Sequence, residues 1–315
     1  MRRQPLALVR PLHTILVLLL TLGFLAGRAS GTDFTRYGYI QLHYSPPDSQ
    51  IARKTADILH EAYQEIAYDL RIKGQDTLNV FIAPGRKDFR ELLQGRLPDW
   101  TGAFAVPGRR AMYLRSPRWF QEKQTYRSTV IHELTHILVH DRVNQRRLPR
   151  WLDEGLAVFY SRETRLRTST AISKALTTGS IIPLDQVDEV LKFHRVKAEL
   201  AYQQSYSAVY YLLTTYDLEA LRTILDGLDR GFSLDECFRQ ATGSSFAGFE
   251  REWLDWVRNT HKGLWLTDIN LYWLLILLLL PVAYLARKWH NRRTRKRWQE
   301  EDRAEENQVE KHHSQ

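Results

Sequence analysis

The chain has 315 residues, 43% hydrophobic and 26% charged, a balance ordinary for a protein that buries a core. Its single cysteine, Cys237, excludes an intramolecular disulfide and a thiolate-rich metal site, so any metal must be held by His, Asp or Glu. The net charge of +9 does not point to nucleic acid. Much of the excess is one run (Arg287, Lys288, Arg292, Arg293, Arg295, Lys296 and Arg297) beside an apolar segment.

The first element in chain order is an apolar stretch from Thr14 to Ala26, preceded by Arg2, Arg3 and Arg10. It is short for a membrane span, and small residues follow at Gly27 and Ala29, so residues 1–30 read as a signal peptide or N-terminal anchor. Tyr39 to Tyr44 alternates, with Ile40, Leu42 and Tyr44 on one face, and predicts a strand. Pro46-Pro47-Asp48-Ser49 then turns the chain into a helix with Ala52, Ala56, Leu59, Tyr63, Ile66 and Leu70 on its apolar face. Leu78, Val80 and Ile82 predict a second strand, and Phe89, Leu92 and Leu93 a short helix ended by Gly95. Two more strands are expected at residues 102–106 and 111–114, separated by Pro107-Gly108. From Ser128 the pattern is helical, with Ser233-Leu-Asp-Glu236 in the form of a capping box. The expected fold class is therefore α+β: an N-terminal mixed β-sheet lobe with helices, an HExxH helix, a C-terminal helical lobe, then one transmembrane helix.

That last helix is expected from Ile269 to Ala286, a run without charge and about as long as a hydrocarbon core requires, with Trp265, Tyr272 and Trp273 at its start. The predicted organisation is residues 1–30 as leader or anchor, 31–264 as the catalytic domain, 265–286 as the span and 287–315 as a basic cytoplasmic tail. Beyond Trp298 the tail is charged and polar and is expected to be disordered. The positive-inside rule then places residues 31–264 on the extracytoplasmic (periplasmic) face of a cytoplasmic membrane, with membrane lipid as a partner through a single pass.

The chemistry is concentrated in Thr129 to Asp141, TVIHELTHILVHD. His132 and His136 are four apart, so on a helix their rings project from one face within reach of one ion. Glu133 lies beside them, placed to approach a water rather than the ion. Two imidazoles and a carboxylate on a helix made apolar by Ile131, Leu134, Ile137 and Leu138 carry a desolvation cost that a divalent metal would offset. A third ligand is available in Pro149-Arg-Trp-Leu-Asp-Glu-Gly-Leu-Ala157, where Pro149 fits a helix start. An antiparallel second helix would bring Glu154 opposite the histidines, completing a His₂Glu set with one position open. Asp153 competes for that role, but suits better the orienting of a histidine ring. His140, four beyond His136, is expected to pack or cap the helix end.

HELTH followed by WLDEGLA resembles the gluzincin metallopeptidases, in particular the peptidase MA-like family. Asp99 to Ala103 is similar to that family's sheet-edge segment, and Tyr202 to Leu212 to its tyrosine-bearing helix, so the likeness covers roughly residues 34–260. The resemblance implies one Zn²⁺ per chain on His132, His136 and Glu154, with Glu133 as general base. It implies that Tyr206, or failing that Tyr202, faces the substrate carbonyl. The implied activity is a membrane-anchored zinc metalloendopeptidase that hydrolyses polypeptide with water activated by zinc. Aminopeptidases of the superfamily carry an edge-strand glutamate that captures the free amine, whereas this chain reads Gly102-Ala103-Phe104-Ala105, so aminopeptidase activity is not implied. A metzincin would need a third histidine at position 142, which is Arg. The alternatives left open are a catalytically inactive peptidase-like binding or regulatory module, and a tethered adaptor acting through its basic tail.

Overall fold

The computed structural model describes residues 33–93, 102–120, 125–163, 170–188, 195–260 and 271–313. Asp33–Tyr37 (β1) and Ile40–Tyr44 (β2) make an antiparallel hairpin whose two-residue turn begins at Gly38, φ 58°. Ser49–Leu70 (α1) crosses over to Leu78–Ala83 (β3), which pairs parallel with β2. Arg86–Leu93 (α2) follows, then Ala103–Val106 (β4) and Ala111–Arg115 (β5), which pair antiparallel with each other while β5 runs parallel to β3. The order is β1-β2-β3-β5-β4, a mixed sheet with β4 at one edge. Residues 94–101, which hold the expected helix stop at Gly95 and the segment from Asp99 to Thr101, lie outside the described residues.

One face of the sheet is the apolar face predicted from alternation, with Ile40, Leu42, Leu78 and Val80 buried there, and Met112 and Leu114 of β5 join them. All six apolar positions expected on α1 are buried too. On the other face Phe34, His43, Phe81, Tyr113 and Phe104 stand in register across all five strands, ring against ring. β1 was not expected. Its only buried-face contribution is slight, and four of its five residues are exposed, so hydrophobic alternation carries no signal there.

The remainder is helical: Tyr126–Arg142 (α3), Arg150–Ser161 (α4), Ala171–Thr178 (α5), Arg195–Thr215 (α6), Asp217–Arg230 (α7), Leu234–Thr242 (α8), Phe246–Thr260 (α9) and Leu271–His313 (α10). The capping box expected at Ser233 is formed, with Glu236 closing it. α3 is buried on most sides, Thr129, Glu133 and Thr135 included, as a helix between layers is. Thr125 starts it by accepting a hydrogen bond from the Ser128 amide, 3.2 Å, and His140 and Arg142 lie in the last turn, where cations suit the helix dipole. α3 packs between the sheet and α1 on one side and α4 on the other, and one continuous core joins the sheet to the helices behind it.

The transmembrane helix expected over residues 265–286 does not emerge as a separate element. Residues 261–270 lie outside the described residues, and from Leu271 a single helix continues through the basic block to His313, past Pro281. Among the described residues no helix is long and apolar enough to cross a membrane. The tail expected to be disordered beyond Trp298 is the end of this helix, for a local reason: Gln, Glu, Arg, Ala and Lys dominate it, and these are strong helix formers. Residues 1–32, the expected leader, also lie outside the described residues.

Candidate metal centre

α3 and α4 place the predicted residues together. His132, His136 and Glu154 each present a ligand atom, and those atoms lie within 4.8 Å of one another. Glu154 Oε2 is 3.5 Å from His132 Nε2 and 3.5 Å from His136 Nε2. That oxygen is buried and has no hydrogen bond among the described residues. A buried carboxylate oxygen without a partner is costly, and it points between two ring nitrogens. Tetrahedral zinc with bonds of about 2.0–2.1 Å sets its ligand atoms roughly 3.4 Å apart, so the donor set and its spacing fit that ion.

Asp153 takes the supporting position. Its Oδ1 accepts from His136 Nδ1 at 2.6 Å, which turns His136 Nε2 toward Glu154. Oδ2 lies 3.4 Å from His140 Nε2, so His140 adjoins the carboxylate that orients His136 and is outside the cluster itself. Burial opposes a charge on His136, yet the Asp153 and Glu154 carboxylates outweigh it and raise its pKa to about 9. Burial likewise pushes Asp153 and Glu154 upward, but the histidines, joined by Arg150 at Glu154, hold both below the ordinary carboxylate range.

Glu133 is also buried, beside the cluster but not in it. Here burial wins: it pushes the carboxyl up, only partly offset by His132 and His136. A carboxylate raised in this way is a better proton acceptor than an exposed one.

α6 supplies a tyrosine. The Glu154 carboxylate first, and burial second, raise the Tyr202 hydroxyl well above its ordinary range, with Arg150 opposing them, so Tyr202 shares the field of the cluster. Tyr206, the residue preferred from sequence, sits with its ring 6.0 Å from that of Tyr210. The two are one turn apart on α6, and spacing alone could not separate them. α6 comes this close because of Gly155: a Cβ there would lie 2.4 Å from the Ser205 carbonyl oxygen and 2.6 Å from Val209 Cγ2.

A sequence profile described as the Peptidase MA superfamily matches residues 60–259, more than half of the chain. The chain belongs to the Peptidase MA superfamily. Among curated proteins, none matches it. A superfamily peptidase domain accounts for the His₂Glu cluster on two adjoining helices, and it makes the chain a protease at the general level. Arg150 was missed in the sequence, although it lies within the motif. Its one available signal was an Arg four residues before the candidate ligand.

Proposed function

We propose that the protein is a zinc-dependent metalloendopeptidase with His132, His136 and Glu154 as ligands and Glu133 as general base. The observation that carries this reading is the buried Glu154 Oε2, which has no hydrogen bond among the described residues and lies 3.5 Å from both ring nitrogens. Zinc bound there would act as a Lewis acid and lower the pKa of water towards about 7. Glu133 accepts the proton of the attacking water and hands it to the leaving amine. Tyr202 donates its hydroxyl hydrogen to the oxyanion that develops on the scissile carbonyl. The substrate backbone pairs with the outer edge of β4, which has no strand beyond it among the described residues. No acid stands on β4 to capture a free amine, which favours internal bonds.

Tyr202→Phe is expected to lower kcat by about 10²- to 10³-fold with zinc content unchanged. An undiminished kcat would return the role to Tyr206. For the activity itself, zinc-loaded full-length protein in detergent should cleave internal bonds of an unstructured peptide library and stop when a chelator is added. Loaded protein that cleaves nothing would sink the peptidase reading.

We further propose that residues 31–264 work on the extracytoplasmic side of a membrane, anchored by the apolar run that begins at Ile269. Supporting this are the exposed leucines at 275 and 277–280, followed directly by the basic block. Alkaline carbonate should leave the full chain with the membrane fraction and release a version lacking residues 265–315 only if this anchor is real.

A further inference from the structure

Arg150 stands where local helix energetics disfavour it. It is the first residue of α4, at the end where the helix dipole repels cations. Its partner Glu154 lies four residues later, the weaker order for an ion pair along a helix. The contacts it makes instead belong to the metal centre. Arg150 Nη2 donates to Glu154 Oε1 at 2.6 Å, while Nη1 lies 3.5 Å from Asp153 Oδ2. One planar guanidinium thus touches both the third ligand of the cluster and the carboxylate that orients His136. A fork of this geometry fixes carboxylates in a way that a point charge cannot.

The two oxygens of Glu154 are therefore unlike. Oε1 is held by Arg150, and Oε2 is buried, without a hydrogen bond among the described residues, and aimed at His132 and His136. We propose that Arg150 is a positioning residue that commits Glu154 to a single metal-facing oxygen and so keeps one coordination position open. This rests on the metal-centre reading above. A carboxylate released from Arg150 can rotate to offer both oxygens, which fills the position that substrate or water needs. It also leaves a buried negative charge with one cation fewer beside it.

The test uses full-length protein, Arg150→Ala and Arg150→Lys, each loaded with zinc and, separately, with cobalt(II). Zinc affinity is read by competition with a chromophoric chelator. Cobalt absorption reports coordination number, being intense for four ligands and weak for five or six. Arg150→Ala should bind zinc about 10- to 100-fold more weakly, the usual effect of removing a ligand's outer partner. Its cobalt spectrum should lose intensity. Arg150→Lys keeps the charge without the fork and should fall between, and it decides the question by the same readouts should the alanine variant not fold. Wild-type affinity and spectrum in these variants would overturn the proposal, and a lowered melting temperature with both unchanged would assign Arg150 to the fold alone. Wild-type protein that takes up neither metal would overturn the metal-centre reading and this inference with it.

Discussion

Glu133→Gln is expected to lower peptide hydrolysis by about 10²- to 10⁴-fold, the range that a positioned acid–base group supplies, while zinc content stays at the wild-type level. The substitution keeps the side chain's size in a buried site, so packing against α4 is preserved. It removes a carboxylate that lies beside the cluster without joining it, whereas Glu154 belongs to the cluster and Asp153 is bonded to His136. The amide cannot take the proton of the attacking water. Hydrolysis followed with a quenched fluorescent peptide, alongside metal analysis, separates the outcomes. Retained activity would move the base elsewhere, and lost zinc would make Glu133 part of the fold rather than of the chemistry.

The second large effect is expected at Gly155. Replacing a helical glycine by alanine ordinarily stabilises a helix by about 1 kcal/mol. Here the sign reverses, because the new Cβ would lie 2.4 Å from a backbone oxygen of α6 and 2.8 Å from the carbonyl carbon of Ser205. Backbone cannot step aside as a flexible side chain can, so α4 and α6 must separate. Overpacking of this kind costs about 1–3 kcal/mol, which for a domain of this size is several degrees in Tm. The separation also carries Tyr202, one turn before Ser205, away from Glu154. Gly155→Ala should therefore melt lower and turn over more slowly than its loss of folded protein explains. A Tm equal to or above that of the wild type would contradict the close approach.

What could be read in advance divides along physical lines. The meeting of His132, His136 and Glu154 was legible because each depends on short-range periodicity: i, i+4 on one helix, and a motif seven residues long opening the next. The inner face of the sheet was legible for the same reason in β2 and β3, which alternate. β1 was not, because an exposed edge strand has no apolar face to betray it, and Gly38 was its only hint. Tyr202 and Tyr206 share one face of α6 a turn apart, so only where the helix lies along its axis against α4, a tertiary fact, could separate them, and it is Tyr202 on which the Glu154 carboxylate acts. Arg150 escaped because its role depends on which way the Glu154 carboxylate turns, a tertiary fact. The long course of α10 escaped because polarity was read as disorder, where helix propensity of the same residues pointed the other way.

The zinc site is tested by metal analysis of purified full-length protein beside His132→Ala and Glu154→Ala. About one zinc per chain is expected in the wild type and its loss in both variants, with the fold retained by circular dichroism. A wild type that holds no zinc even after reconstitution, or variants that bind it as well as the wild type does, would contradict the account.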